Sequence, residues 1–495
     1  MSQPSSSCYT RWLLPAIILI YLILATLYAA YTPDWQAPDE PAHYNYVKYV
    51  AEQHRFPILK PGDFPVAYLE EIKEAHFPPE MPIAPIRYEF HQPPLYYVLA
   101  VPVYQLFDGA LLPLRLLSVA MGALLLLVVC WTVQALVPAR AFLALGTTAF
   151  VAFLPMHLAM TAAVNNDTLA ELLVAVVLLL AIRYLRLPSS ALGQGEGKRL
   201  LILLGITTGL GLLTKSAVYV AIPLALLAIA LKHLWIERPS LSAGAKAGFL
   251  YALPAFLLGL PWWLRNIAIY GGLDFLGLNR HDQVVVGQLR TAEFVAQRGL
   301  GALVHDFSLT SFHSFWGQFG WMGVLLDQRI YQALAILSAL ALIGFAIWAL
   351  HAWGSRASRP RWQWAAGGLL VASGLLTLAA YLWYNTQFVQ HQGRYLFTAL
   401  IPIGLTAALG WREILRRERA WPLVIILLLA AAALRLVGWL PNWPLLMVGV
   451  TAVALAGRSF LPRRLDPFIH ACPYLLLVLL DLASLFLFIV PQLAV

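Results

Sequence analysis

The stretch "WQAPDEPAHYNYVKYV" (35–50) contains residues that could carry out acid–base chemistry. Asp39 and Glu40 are adjacent carboxylates between two prolines, and His43 follows one helical turn after Asp39. Asp39 also suits the N-cap of a helix, with Pro41 in its first turn, so a structural role is an alternative. The two roles are compatible, because a carboxylate at the positive end of a helix stays ionised and can accept a proton.

The composition places these carboxylates in a membrane protein. Of the 495 residues, 60% are hydrophobic and only 12% are charged, whereas soluble domains carry about 25% charged residues. The net charge of +9 does not indicate a nucleic-acid partner, because basic residues in membrane proteins mostly set orientation. Three scattered cysteines are too few for a disulfide framework or a cysteine metal cluster.

Apolar stretches of about 20 residues indicate membrane-spanning helices. The first apolar run is too long for the core of a signal peptide and lacks a small-residue cleavage site, so we expect it to be retained. Including it, the sequence predicts thirteen spans, near 12–31, 113–136, 140–160, 167–187, 200–213, 217–234, 247–268, 331–352, 363–384, 395–411, 421–440, 445–457 and 470–490.

The distribution of charge predicts the orientation of these spans. With a cytoplasmic N-terminus, every segment on the inner side is short and basic, which is the positive-inside pattern. Only two segments on the outer side are long, 32–112 and 269–330. We therefore expect an integral protein of the plasma (inner) membrane, with a module over 1–268, an outer loop over 269–330 and C-terminal helices over 331–495.

Two short apolar segments need separate treatment. The segment 91–107 is too short to span with certainty, and a span there would invert every later loop, so we expect it to lie along the outer surface. The segments 200–213 and 217–234 form a tight hairpin whose arms are shorter than a bilayer. Its tip, Lys215, should therefore lie below the outer surface of the membrane.

Seven motifs occur in an order that resembles a known family. They are "APDEPAH", "FHQPPLYY", "VNNDTLAELL", "LLTKSAVY", "PWWLRN", "SFWGQFGWM" and "QGRYLF". Together they resemble the lipid-carrier-dependent glycosyltransferases of the GT-C fold, in the protein O-mannosyltransferase and aminoarabinose-transferase superfamily. The resemblance extends from the N-terminus to about residue 411 and implies an all-α polytopic membrane protein of the GT-C fold. The acidic first outer loop is its most specific element.

The resemblance implies a reaction on the outer side of the membrane. The aspartate that matches Asp39 is the general base of the family, and the donor is a polyprenyl-phosphate monosaccharide. Nucleotide sugars stay in the cytoplasm, so an outward-facing transferase needs a donor that is carried in the membrane. A hydroxyl of a lipid, glycan or protein acceptor would attack the anomeric carbon with inversion, while Asp39 or its neighbour Glu40 takes the proton.

A phosphate leaving group is stable as an anion, so it needs positive charge nearby more than a proton donor. The candidates are Lys215, Arg394 and Arg265. Lys215 could instead extend to the membrane surface, and Arg265 could be an interface anchor. Asp167, in "NNDT", matches an acidic residue that the family directs into the site, with a helix N-cap as the alternative.

Two further histidines, His91 and His281, could join Glu40 or Asp39 around a divalent metal, since mixed histidine and carboxylate sets suit zinc. No local ligand spacing supports this hypothesis, and no cofactor is otherwise indicated. Where aminoarabinose transferases carry an acidic and a basic residue, this chain has His91 and Gln92. This difference argues against the same sugar.

Two other functions remain as alternatives. A polymerase or ligase that uses a polyprenyl-diphosphate glycan should have an arginine-rich outer loop rather than an acidic first loop. A lipid-sugar flippase or other transporter should show inverted repeats and broken helices near the bilayer midplane, and the sequence shows neither.

Overall fold

The computed structural model is built almost entirely from helices. It describes residues 6–188, 195–237, 240–354, 356–436 and 441–494. Within these ranges the only strands form a short antiparallel hairpin, Gln318–Phe319 with Val324–Leu325. The prediction of an all-α protein is therefore confirmed.

The first 270 residues form a bundle of long apolar helices with short helices between them. The α-helices are α1 (Ser6–Tyr31), α2 (Glu40–Gln53), α3 (Val66–Glu74), α4 (Leu95–Leu106), α5 (Leu111–Leu136), α6 (Ala141–Ala152), α7 (Pro155–Thr161), α8 (Asp167–Arg186), α9 (Glu196–Leu212), α10 (Ala221–Leu231) and α11 (Leu241–Tyr270). Short 3₁₀ or π segments are Tyr88–His91, Ser216–Val220 and Lys232–Ile236.

The residues after α11 begin with the second predicted outer segment and end in further long helices. The α-helices are α12 (Leu278–Val284), α13 (Thr291–Trp316), α14 (Gln328–Gly354), α15 (Arg361–Gln387), α16 (Leu400–Ile414), α17 (Ala420–Leu436), α18 (Asn442–Arg458), α19 (Asp466–Ala483) and α20 (Val490–Leu493). Short 3₁₀ or π segments are Arg356–Ser358, Gly393–Ala399, Arg417–Arg419, Arg463–Leu465 and Ser484–Ile489.

The described helices agree with an integral membrane protein. Nine are long and apolar enough to cross a membrane, and the pair α6 and α7, bent by 68°, makes ten. The predicted spans 200–213, 421–440 and 445–457 coincide with α9, α17 and α18, each of 17 residues; residues 437–440 lie outside the described ranges. At 1.5 Å per residue these helices measure about 26 Å, against a hydrocarbon core of about 30 Å. The count of thirteen therefore stays a prediction.

Helix α8 lies at the centre of the bundle because it is apolar on nearly all sides. In its most apolar window 78% of the residues are buried, compared with 17% for α14 at the periphery. It packs against α5, α9, α10 and α15. Because α8 begins at Asp167, this central position brings an acidic residue to the middle of the bundle at the outer end.

The first outer loop folds into a compact layer over the bundle. The Asn45 side chain donates hydrogen bonds to the carbonyls of Ile83 and Ile86, both at 2.7 Å, and the rings of Tyr46 and Tyr97 stack with centroids 3.6 Å apart. Helix α4, with 12 residues, is about 18 Å long and cannot cross a bilayer on its own. This length agrees with the predicted surface position of 91–107.

The second outer segment packs on the first. After α13 the chain forms the β-hairpin, and the indole N–H of Trp321 donates to the Trp35 carbonyl at 3.0 Å. The ring of Trp321 also stacks on Phe77 with centroids 6.0 Å apart. The aromatic motif "SFWGQFGWM" thus contributes to holding the residues just before Asp39. The predicted domain boundaries at 268 and 330 stay predictions.

Candidate active site

Asp39 precedes α2, but its side chain does not cap the helix. The residue has φ 67° and ψ −7° and makes no side-chain capping hydrogen bond. Left-handed backbone is uncommon for a residue other than glycine, although aspartate tolerates it better than most. The carboxylate instead accepts hydrogen bonds from the Tyr88 hydroxyl and the Arg394 guanidinium, both at 2.7 Å. The capping role that the sequence offered as an alternative is therefore not observed.

These partners keep the Asp39 carboxylate charged. Burial alone would raise its pKa, but the Arg394 guanidinium, with His43 and the Tyr88 hydroxyl, outweighs burial and lowers the pKa from 3.8 to about 2. The Asp39 side chain keeps 28% of its surface exposed, whereas that of Arg394 keeps 6%. Asp39 is thus an ionised carboxylate that an incoming molecule can reach.

Arg394 is positioned by Gly393, whose backbone lies close against α13. A Cβ atom on Gly393 would lie 2.3 Å from the Ser311 carbonyl oxygen, so only glycine fits there. The Gly393 N–H also donates to the Ser314 hydroxyl at 2.7 Å. The Arg394 guanidinium then reaches Asp39, with its Nε donating to Gln392 at 2.6 Å. The motif "QGRYLF" therefore positions one arginine against the first outer loop.

A second pair of opposite charges, Asp167–Lys215, lies near Asp39–Arg394, and the partly exposed region around the two pairs is the cleft. Lys215 Nζ donates to Asp167 Oδ1 at 2.5 Å, and both side chains are partly exposed. Asp167 is the first residue of α8, and its N–H donates to the Asn165 side chain at 2.9 Å. Arg394 and His43 also act electrostatically on Asp167. The structure thus brings together five of the predicted site residues: Asp39, His43, Asp167, Lys215 and Arg394.

Glu40 points away from this cleft into a different environment. Its side chain is fully buried, and Arg115 binds both oxygens, with Nε to Oε1 at 2.8 Å and Nη2 to Oε2 at 2.6 Å. Oε1 also accepts from the Val164 N–H at 3.1 Å. Arg115 in turn donates to the carbonyls of Ala29 and Thr32 at the end of α1. This network joins α1, α2 and α5 and leaves Glu40 no accessible oxygen.

His43 lies beside the cleft and is buried. Its Nδ1 forms a hydrogen bond with the Tyr97 hydroxyl at 2.8 Å. Burial lowers its pKa, which the carboxylates of Glu89 and Asp39 only partly oppose. Burial also lowers the pKa of His91 well below its ordinary value, and the neighbouring His281 adds to this effect. Both shifts favour the neutral form of the ring.

The hypothetical metal set does not assemble. The rings of His91 and His281 lie with centroids 4.5 Å apart, and His91 Nδ1 lies 3.1 Å from the Tyr88 carbonyl, but Glu40 is held by Arg115. Across the described ranges, no group of three or more histidine, cysteine, aspartate or glutamate side chains could hold a metal ion. The structure therefore does not bring Glu40 together with His91 and His281.

Arg265 has a structural environment. Its guanidinium donates to the Pro57 carbonyl at 2.5 Å and to Asn266 Oδ1 at 3.0 Å, and it lies 4.3 Å from the ring centroid of Trp262. These contacts tie the outer end of α11 to the first outer loop. Of the three predicted cations, Lys215 and Arg394 lie with the acidic residues, and Arg265 has other partners.

Four residues of the cleft were not singled out from the sequence: Tyr88, Glu89, Tyr384 and Tyr395. Tyr88 binds Asp39 directly, and burial raises its pKa well above 10. Arg394 Cζ lies 5.6 Å from the ring centroid of Tyr395. Three of the four carried a signal, because Tyr88 and Glu89 directly precede "FHQPPLYY" and Tyr395 lies within "QGRYLF". Tyr384, at the end of an apolar helix, carried none.

Residues 56–271 match the family described as dolichyl-phosphate-mannose-protein mannosyltransferase. Among solved structures, two of the oligosaccharyltransferase of Archaeoglobus fulgidus are similar, each with a TM-score of 0.51. One, tethered to an acceptor peptide, is 14% identical over 94% of this chain and 56% of that one. The other, AglB with an inhibitory peptide and a dolichol-phosphate, is 15% identical over 96% and 56%.

ArnT from Cupriavidus metallidurans bound to undecaprenyl phosphate is also similar, with a TM-score of 0.50 and 15% identity over 96% of this chain and 77% of that chain. The protein thus spans about half the length of the oligosaccharyltransferase that it matches. No curated protein sequence matches it. The family match and these structures confirm the resemblance and the GT-C fold that the motifs implied.

Proposed function

We propose that this GT-C membrane protein is an inverting glycosyltransferase that moves a monosaccharide from a polyprenyl-phosphate donor to a hydroxyl acceptor on the outer side of the membrane. One observation carries the proposal: the pairs Asp39–Arg394 and Asp167–Lys215 share one partly exposed cleft. The cleft thus offers an ionised carboxylate beside two cations, which are the groups that this reaction needs.

The reaction balances with the groups in the cleft. The acceptor oxygen attacks the anomeric carbon, the bond from that carbon to the phosphate oxygen breaks, and the lipid phosphate leaves as an anion. The proton of the acceptor hydroxyl goes to Asp39. Attack from the face opposite the phosphate inverts the configuration at the anomeric carbon.

Binding of the donor would itself prepare the base. With Arg394 fully engaged by Asp39, the pKa of that carboxyl is about 2, so Asp39 is ionised but holds a proton weakly. A donor phosphate would compete for Arg394 and reduce the charge that Asp39 senses. The pKa of Asp39 would then rise, and the carboxylate would become a stronger base at the moment when the acceptor hydroxyl loses its proton.

Lys215 and Arg394 are the proposed ligands of the phosphate. Each is held by a carboxylate that keeps its charged group in the cleft, so neither must be reoriented over a long distance when the phosphate arrives. As the anomeric bond breaks, negative charge on the phosphate increases, and the two cations stabilise the transition state more than the bound donor.

The short basic segments between the spans support a position of this cleft on the outer side of the plasma (inner) membrane, with the N-terminus in the cytoplasm. The ArnT structure contains undecaprenyl phosphate, and the AglB structure contains a dolichol-phosphate. Both relatives therefore support a polyprenyl-phosphate carrier as the donor class here. The assay below determines whether the acceptor is a lipid, a glycan or a protein.

The purified protein tests the proposal with short-chain prenyl-phosphoryl sugars as donors. We expect release of prenyl phosphate that depends on an added hydroxyl acceptor, with a product of inverted configuration by NMR. Asp39→Asn should lack this activity, whereas Asp63→Asn, in the same loop but bound to the Lys60 N–H, should keep it. A product of retained configuration, or transfer from a nucleotide sugar instead, would contradict the proposal.

A further inference from the structure

Glu89 is a third carboxylate at the cleft, and one of its oxygens has no hydrogen-bond partner among the described residues. It lies in the 3₁₀ segment Tyr88–His91, directly after the tyrosine that binds Asp39. Its Oε2 atom is buried and accepts no hydrogen bond from the residues that the structure describes. A buried carboxylate oxygen without a donor is destabilising, so such a group persists where something outside the chain supplies the donor.

The surroundings show where the carboxylate of Glu89 faces. It acts electrostatically on His43 and on the hydroxyls of Tyr97 and Tyr384. Asp39 acts on the Tyr384 hydroxyl as well. Glu89 and Asp39 therefore both lie near Tyr384, and Glu89 borders the same region as Asp39.

The cations in and around the cleft are paired with groups other than Glu89. Arg394 is bound to Asp39 and Lys215 to Asp167, while Arg115 and Arg265 bind groups elsewhere. These four cations are engaged with other groups, and the Oε2 atom of Glu89 remains able to accept hydrogen bonds. A phosphate would be repelled by this carboxylate, so Glu89 belongs beside a different part of the donor.

Two aromatic rings also border the cleft. Tyr384 and Tyr395 pack edge to face with centroids 5.8 Å apart, and Tyr395 lies beside the Arg394 guanidinium. Aromatic rings offer apolar faces against which the C–H groups of a sugar can pack. A carboxylate that accepts hydrogen bonds next to such rings is a combination suited to a pyranose.

We propose that Glu89 recognises the transferred sugar by accepting hydrogen bonds from its polar substituents, while the rings of Tyr384 and Tyr395 pack against the sugar ring. The inference rests on the proposed function and adds a specificity-determining residue to it. The donor groups on the sugar are either neutral hydroxyls or an ammonium, since a carboxylate binds both. The phosphate is bound separately by Lys215 and Arg394.

Binding measurements in detergent micelles test this assignment with three probes: citronellyl phosphate, its mannosyl conjugate and the corresponding 4-amino-4-deoxy conjugate. For the wild type we expect at least one conjugate to bind about tenfold or more tightly than citronellyl phosphate. In Glu89→Gln this advantage should fall about tenfold, because a hydrogen bond to a charged group is lost. Binding of citronellyl phosphate itself should change less than twofold.

Glu74→Gln is the matched control, because Glu74 is an exposed glutamate of the same outer loop. It should bind all three probes as the wild type does. The melting temperature of Glu89→Gln should stay unchanged or increase, since the substitution removes a buried charge without a partner. A loss confined to the amino conjugate identifies an ammonium as the donor, and a loss with the mannosyl conjugate identifies hydroxyls.

An unchanged advantage of both conjugates in Glu89→Gln would overturn this inference alone. A wild type that binds none of the three probes would overturn the proposed function and this inference with it. Equal weakening of citronellyl phosphate and its conjugates in Glu89→Gln would also overturn the inference, because the residue would then act on the phosphate or on the fold.

Discussion

Asp39 and Glu40 are consecutive in the chain, yet they lie in opposite environments. Each is paired with an arginine, at 2.7 Å for Asp39–Arg394 and 2.6 Å for Glu40–Arg115. The Glu40 side chain is 0% exposed, and a backbone N–H adds a third hydrogen bond. The Asp39 side chain is 28% exposed, with one partner for each oxygen.

The difference shows that ion pairing alone does not distinguish a structural from a reactive carboxylate. A carboxylate can accept about four hydrogen bonds, so the pairing of Asp39 leaves capacity for a substrate that can reach it. The network around Glu40 is enclosed by protein. Removing one partner of such a buried pair leaves the other as an uncompensated charge inside the folded protein. We therefore propose a catalytic role for Asp39 and a structural role for Glu40.

Asp39→Asn should give the largest effect on activity. The substitution keeps the shape of the side chain but removes the proton acceptor, so turnover should fall about 10²–10⁴-fold. The affinity for a prenyl-phosphate donor should stay close to that of the wild type or increase, because Arg394 loses a competing anion. Initial rates and donor titrations on the same preparation measure both quantities. Unchanged turnover in this variant would end the assignment of Asp39 as the base.

Glu40→Gln should instead reduce stability. Leaving Arg115 buried without its partner should lower the free energy of unfolding by about 3–5 kcal/mol, measured by thermal or denaturant unfolding in detergent. Activity per folded molecule should stay within a fewfold of the wild type. Glu40→Leu combined with Arg115→Met should recover part of the stability. Loss of turnover without loss of stability would move the catalytic role to Glu40.

Lys215→Ala should chiefly raise the KM for the donor, by about 10–100-fold, because a charge-assisted contact to phosphate is lost. A smaller part of the loss should appear in kcat, since the phosphate gains negative charge as the bond breaks. Lys215→Arg should retain more of the activity. If both variants show unchanged donor kinetics, Lys215 serves only to hold Asp167, and Arg394 is left as the phosphate ligand.

Arg394→Gln should shift the acid limb of the pH profile. In the wild type the pKa of Asp39 lies at about 2, below its ordinary value of 3.8, so Asp39 stays ionised at any pH at which activity is measured. The pairing stabilises the folded protein above about pH 4, and this contribution is lost as the pH falls toward 2. Without Arg394, burial should raise the pKa above 3.8 and move the acid limb of kcat/KM to higher pH. An acid limb at the same pH in both proteins would exclude Asp39 as its origin.

Labelling of single cysteines in intact cells tests which side of the membrane the Asp39 cleft faces. In a background without native cysteines, Asp63→Cys and Arg290→Cys should react with an impermeant thiol reagent. Glu196→Cys and Arg359→Cys should react only after the membrane is opened. The opposite pattern would place the cleft in the cytoplasm, where nucleotide sugars are present, and would remove the reason for a lipid-carried donor.

The sequence predicted much of the fold, because the local composition of a segment largely determines whether it forms a membrane helix. Long apolar runs predicted α1, α5 and α8 as spans, and the length of α4 agrees with a surface position. The motifs also predicted Asp39, Asp167, Lys215 and Arg394, residues that the structure brings together from four separate segments. Their order along the chain, which matches the GT-C family, supplied information that spacing alone did not contain.

The remaining features depended on contacts between distant residues. The sequence could not separate Asp39 from Glu40, because the difference arises from Arg115, 75 residues later. It offered Arg265 as a phosphate ligand alongside Arg394, and only their partners, the Pro57 carbonyl for Arg265 and Asp39 for Arg394, distinguish them. Glu89 was missed because an acidic residue in an outer loop is common in sequences. Only the structure shows that one of its oxygens is buried without a hydrogen-bond donor among the described residues.

Rescue of Asp39→Ala by azide tests the central claim most directly. Azide is a small anionic nucleophile that carries no proton, so it needs no base, and the removed carboxylate leaves room beside Arg394. We predict that azide restores release of prenyl phosphate in this variant and forms a glycosyl azide of inverted configuration, while Lys215→Ala shows no such rescue. A variant that uses a hydroxyl acceptor at the wild-type rate without azide, or an azide product of retained configuration, would contradict the role of Asp39 as the base.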